Sequence, residues 1–127
     1  MDNYLRRSIG IFYYNREWVD DIKDKIIKSI PENAIKKIWS GGFTRIELND
    51  GSTIIFAPAN DNSKGMALSE VYIQKAIPLE IYQTLIRPLL KIAPRAATIV
   101  EDIKDFRFGQ SADSYYRNMM TVQNPNK

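Results

Sequence analysis

The stretch from Arg45 to Leu90, RIELNDGSTIIFAPANDNSKGMALSEVYIQKAIPLEIYQTLIRPLL, constrains the fold more than any other part of the chain. Two β-type runs, Phe43–Leu48 and Ser52–Ala57, flank Asn49-Asp50-Gly51. Asp-Gly supplies the positive φ values that a tight reversal needs, so the two runs predict a hairpin. Pro58 closes it, and the polar, glycine-bearing run Ala59–Ala67 predicts a loop. Leu68–Ile73 predicts the next strand. Pro78 then opens a helix at its first position, with Glu80 in the first turn, where the helix dipole favours an acid. Ile81, Leu85, Ile86 and Leu89 form the apolar stripe of that helix, and Pro88 should kink or end it.

The rest of the chain continues this grammar. Ser8–Tyr14 (SIGIFYY) is almost continuously apolar and β-branched or aromatic, which predicts a strand covered on both faces. Asn15 can cap the helix that follows. From Arg16 to Ile30 the apolar positions Trp18, Val19, Ile22, Ile26, Ile27 and Ile30 recur at spacings of three and four, an amphipathic pattern that Pro31 ends. Glu32–Ser40 is ambiguous between a helical turn and a strand beginning late, near Ile38-Trp39. Ala96–Val100 predicts a last buried strand, Phe106–Gly109 a turn or edge strand, and Ser111–Met120 a short docking helix with Tyr115, Tyr116, Met119 and Met120 on its apolar side. Residues 121–127 are expected to be a flexible tail. The fold class that follows is α/β: a single small domain with a mixed sheet of about five strands, a hairpin, and two or three flanking helices.

Composition bounds the chemistry. With 127 residues, 44% of them hydrophobic, the chain has material for one core. No apolar run approaches the ~18 residues of a membrane span, and the apolar run Ile9–Tyr14 behind Arg6-Arg7 is too short for a secretory signal, so no membrane partner is expected. There is no cysteine and no histidine, which excludes disulfides, thiolate nucleophiles, Cys/His zinc sites and imidazole acid–base catalysis within the chain. The lack of cysteine fits a reducing cytoplasm. A net charge of +3 permits contact with nucleic acid only where cations gather on one face.

In order, the strand, the amphipathic helix, the hairpin RIELNDGSTIIFAPA, the loop with SKG, the strand SEVYI and the helix PLEIYQTLIRPLL resemble the middle of the terminase large subunit, the viral DNA-packaging ATPase with a RecA-like fold. The resemblance covers roughly Ile9 to Val100. It implies a truncated RecA-like scaffold, a phage or prophage setting and a host-cell cytoplasmic location. It also implies what is missing. Nothing matches the phosphate loop G-x-x-x-x-G-K-[ST]. The family's magnesium-holding aspartate and water-activating glutamate fall on Gln74 and Lys75, where one side chain is neutral and the other repels a divalent cation. Hydrolysis by the family's mechanism, and a nucleotide cofactor with it, are therefore not expected.

Three functions stay open on these residues. The first is a non-catalytic accessory protein that binds a nucleic acid or a host or phage protein, in one version an anti-defence inhibitor. Arg45, Lys64, Lys75, Arg87, Lys91 and Arg95 are its candidate contacts, with Arg6, Arg7, Arg107 and Arg117 as further cations and Phe106, Phe108, Tyr115 and Tyr116 as stacking groups. The second is a magnesium-dependent nuclease or phosphohydrolase in which Glu101, Asp102 and Asp105 converge with Glu70 or Glu47. The third is an assembly protein that forms a homo-oligomer through its hairpin or its C-terminal helix.

Overall fold

A computed structural model describes residues 6–123. Residues 124–127, four of the seven expected to be a flexible tail, lie outside the described residues, as does the side chain of Met120. Strand β1 (Ser8–Tyr13) leads into α1 (Arg16–Ser29), then β2 (Ile35–Trp39), β3 (Arg45–Leu48), β4 (Thr53–Pro58) and β5 (Glu70–Gln74). A short α2 (Leu79–Ile81), β6 (Ala96–Val100), α3 (Asp105–Phe108) and α4 (Ala112–Gln123) complete the order. The six strands form one mixed sheet in the order β2-β3-β4-β1-β5-β6. β1 lies parallel to both β4 and β5, and β5 parallel to β6, while β2, β3 and β4 pair antiparallel. The architecture is the expected α/β domain with one strand more. No helix among the described residues is long and apolar enough to cross a membrane.

Alternation along the strands sends apolar side chains to two separate cores. Ile9, Ile11, Ile46, Ile54 and Phe56 face one side and are covered by Val19, Ile22 and Ile26 of α1. Phe12, Ala57, Val71, Ile73 and Ile99 face the other, under Ile77, Tyr82, Leu85, Ile86 and Leu89, with Ala112 and Tyr116 of α4. Each large side chain taken fully from water stabilises the fold by about 1.5–3 kcal/mol, so the buried Phe12, Ile11, Ile22 and Ile73 anchor both layers to the central strands.

Several elements differ from expectation for local physical reasons. The strand after Pro31 begins at Ile35, because the single 3-10 turn Glu32–Ala34 is tied to the hairpin: Asn49 donates from its backbone to the Ala34 carbonyl and from its side chain to the Asn33 carbonyl. The helix after Pro78 stays α-helical only for Leu79–Ile81, widens into a π turn over Tyr82–Ile86 and tightens into a 3-10 turn over Arg87–Leu89. Pro88 has no amide to continue the ladder, and the extra residue in the π turn adds Tyr82 to the buried stripe while Ile81 is left half-exposed. Residues 105–108 are helical rather than extended, because the Asp105 carboxylate accepts from the backbone amides of Glu101 (2.9 Å) and Asp102 (3.0 Å) and closes a turn. On α4, Tyr116 is buried and Tyr115 half-buried as the apolar side requires, but Met119 is exposed.

Candidate functional site at the carboxyl edge of the sheet

The parallel strands β4, β1, β5 and β6 end along one edge, at Pro58, Tyr13, Gln74 and Val100. β1 continues into α1, which packs on one face, and β5 into the helical segment 77–89, which packs on the other. The boundary between β1 and β5 is therefore the place where sheets of this kind open a ligand crevice.

Gln74 fills that place. It is 6% exposed, and its Oε1 accepts from the backbone amides of Tyr14 (2.6 Å) and Asn15 (3.0 Å), while its Nε2 donates to Asn15 Oδ1 (2.8 Å). Those two amides open the connection from strand to helix, where a phosphate-binding loop would aim its own N–H groups at an anion. Here a neutral side-chain carbonyl occupies them. Asn15 does not cap α1 as its position suggests, because its Oδ1 is committed to Gln74 and no helix amide reaches it. Beside this contact, Trp18 of α1 donates from Nε1 to the Glu101 carbonyl (2.8 Å), so α1 is also tied to the exit of β6.

A small opening of about 200 Å³ on this edge is lined by Lys75, Val100, Glu101 and Asp105, and a larger one lies one strand over from the crevice, between β1 and β4. A cavity of about 620 Å³ is bounded by Tyr13, Tyr14, Arg16 and Lys23 on one side and by Phe43, Thr44, Phe56, Asn60 and Asn62 on the other. Arg16, Val19 and Lys23 share one helical face at spacings of three and seven, which aims both cations the same way. The Arg16 guanidinium stands 5.9 Å from the centre of the Tyr13 ring. Lys23 donates to Thr44 Oγ1 (3.5 Å) and stands 3.9 Å from Asp20. The far wall is held by a local turn in which Asn60 Oδ1 accepts from the Asn62 amide (2.9 Å) and the buried Ser63 hydroxyl donates to the Pro58 carbonyl.

The candidate cations are distributed over three places. Lys64 and Lys75 lie at the carboxyl edge, 3.5 Å from Asp61 and 3.9 Å from Glu101, as exposed pairs that contribute little to stability. Arg87, Lys91 and Arg95 lie at the opposite edge, where the chain enters β6: the Lys91 amide donates to the Leu68 carbonyl, just before β5. Arg87 and Arg95 line a second cavity of about 480 Å³ there, with Tyr82 and Asp113, and Arg87 stands 3.9 Å from Asp113. Arg45 is alone on β3, 5.2 Å from the centre of the Trp39 ring. Arg7 is committed to Glu70 through a two-pronged contact (2.6 and 2.7 Å) that raises its pKa further. Arg107 stands 5.8 Å from the centre of the exposed Phe108 ring, and Phe106 packs against Tyr72.

The acids do not converge. Glu101, Asp102 and Asp105 share one turn after β6, and hydrogen bonds from the Asp102 and Glu101 amides hold the Asp105 carboxyl below the usual range. Glu70 sits at the other end of the sheet, paired with Ala96 and bonded to Arg7, and Glu47 lies opposite Thr53 at the start of β4. Five residues of extended chain, about 13 Å from first to last, separate the two ends of β5. Among the described residues no three acids lie close enough to hold a metal ion.

Sequence reasoning placed weight on position 74 but not on what its side chain does, and it passed over Arg16, Lys23, Asn60 and Asn62. For Arg16 and Lys23 the signal was present in their shared helical face. For the contact of Gln74 with Asn15, 59 residues apart, the sequence carries no local sign. Comparison with protein-family models, with curated proteins and with solved structures returns no match for this chain.

Proposed function

We propose that this chain is a non-catalytic accessory protein of a phage or prophage, on a scaffold related to a packaging-ATPase core, that binds nucleic acid along the carboxyl edge of its sheet. The observation that carries the reading is Gln74, whose side chain uses the Tyr14 and Asn15 amides that a bound phosphate chain would need. Displacing it would leave a buried amide group to find new partners, at a cost a nucleotide meets in no purpose-built cradle. The neighbouring groove supports the second half of the reading. Arg16 and Lys23 offer charge to a phosphate backbone, Asn60 and Asn62 offer polar contacts, and the half-exposed Tyr14 and the Tyr13 ring offer surfaces for stacking. Contacts of this kind position a backbone and carry little base specificity.

The test is a titration with short oligonucleotides at low and moderate salt, run beside an assay of ATP turnover. Affinity should fall as salt rises, by about tenfold or more from 50 to 200 mM, and the double variant Arg16→Glu/Lys23→Glu should weaken binding across all sequences alike. Turnover of ATP above background, lost on changing Lys75, would overturn the non-catalytic reading. Salt-independent binding, or none, would remove nucleic acid as the partner.

A further inference from the structure

Among the described residues, the wing of the sheet formed by β2 and β3 is bare on one face. The helical layer that covers Phe12, Val71 and Ile99 reaches β4, where Ile55 is half-buried, and covers nothing beyond it on β2. Register places Trp39, Arg45 and Ile55 in one row across β2, β3 and β4 on that face, with Lys37 and Glu47 in the next row. Trp39 is 39% exposed, although a tryptophan held for core packing would be covered. The Lys37 ammonium stands 3.6 Å, and the Arg45 guanidinium 5.2 Å, from the centre of its ring. The one acid of the wing, Glu47, is engaged by Lys36 at 3.8 Å, so among the described residues Lys37 and Arg45 have the ring, and no carboxylate, as their partner.

We propose that this face is a stacking platform for an unpaired base of single-stranded nucleic acid, a reading that rests on the nucleic-acid function above and gives it a place and a strand state. An exposed ring on a bare sheet face offers π-surface, which every base can use but which a base inside a duplex cannot reach. Two cations within reach of the same ring match the phosphates on either side of a stacked base: when the base takes the ring, Lys37 and Arg45 turn to its backbone. The groove at the carboxyl edge opens on the α1 side and the platform on the other face, and the turn at 41–44 links them: Gly42, Phe43 and Thr44 line the groove and Arg45 follows directly. A single strand leaving Arg16 and Lys23 reaches Trp39 by crossing from the α1 face to the other face at the turn 41–44.

The experiment uses the full chain in a Trp18→Phe background, so that Trp39 is the sole tryptophan, with oligothymidylate as probe and a duplex of equal length for comparison. Expected are quenching of Trp39 emission by the single strand, weaker binding of the duplex, and about tenfold lower affinity in Trp39→Ala, the size of one base–aromatic stack. Lys37→Glu/Arg45→Glu should lower the dependence of log K on log salt by about 1.4 for two lost phosphate contacts. Single-strand binding that leaves Trp39 emission and the Trp39→Ala affinity unchanged would overturn the platform while leaving the groove reading intact. Absence of any oligonucleotide binding would overturn both. A change in Trp39→Ala confined to the sedimentation coefficient would make the face a contact between copies of the chain and would also overturn the proposal.

Discussion

An amide at position 74 does what neither a carboxylate nor an aliphatic side chain could do alone: one oxygen accepts from two backbone amides and the nitrogen donates to Asn15. The contact spans the chain from the exit of β1 to the end of β5, so a single side chain fixes both the mouth of the crevice and the entry angle of α1. Gln74→Ala removes the buried acceptor and leaves the part-buried Tyr14 and Asn15 amides without their partner. The expected loss is about 2–3 kcal/mol, read as a lower urea midpoint with an unchanged slope. A stability within about 0.5 kcal/mol of the parent's would mean that water replaces the side chain freely and that the crevice is open.

At the scale of elements, the two edges of the sheet are managed differently. β6 is covered by the segment between α3 and α4, where the Ile99 amide donates to the Gln110 carbonyl (2.8 Å) and Thr98 bridges Ser111. Gly109 makes that approach possible: a Cβ there would lie 2.5 Å from the carbonyl oxygens of both Asp105 and Ile99, atoms that have no freedom to move aside. Gly109→Ala should therefore lift this strap from β6. The check is hydrogen exchange, with protection lost at the Ile99 amide before the amides of β1, and unchanged exchange at Ile99 would show that the backbone accommodates the methyl group. β2, by contrast, carries exposed Ile38 and Trp39 on an edge that, among the described residues, no further strand pairs. Lys36 and Lys37 are the charges that discourage further strands from adding there.

The molecule as a whole is legible in its sequence where the physics is local and opaque where it is not. Arg45–Leu48, the turn closed by Gly51 and Thr53–Pro58 follow from hydrophobic alternation and from a glycine at φ 91°. α1 follows from its stripe, and the Asp21–Lys25 and Asp24–Lys28 pairs, each 3.0 Å apart, follow from i,i+4 spacing. The π turn was not legible, since nothing at Tyr82–Ile86 marks a widened turn until the demand to bury Tyr82 against α4 is known. Nor was the scatter of the basic residues over three places, which strand order decides and composition does not.

The layer formed by the segment 77–89 and α4 is joined by two tyrosines, and this gives the whole fold a predictable weakness in alkali. Tyr82 and Tyr116 stack with ring centres 5.2 Å apart; Tyr82 donates to Asp113 (2.9 Å) and Tyr116 to the Ile77 carbonyl (2.6 Å). Burial, and then the bond to Asp113, push Tyr82 up to about 12, and burial pushes Tyr116 higher still. In the unfolded chain both ionise at about 10. Between these values the folded state holds protons that the unfolded state has released, so stability is full below about pH 10 and declines as pH rises toward 12. The informative comparison is with Tyr82→Phe. That variant should start lower at pH 8 by about 1 kcal/mol for the lost hydrogen bond, and its urea midpoint should then decline less steeply between pH 10 and 12. Parallel curves for the two proteins would place the ionising group elsewhere and leave the tyrosine pair as packing alone.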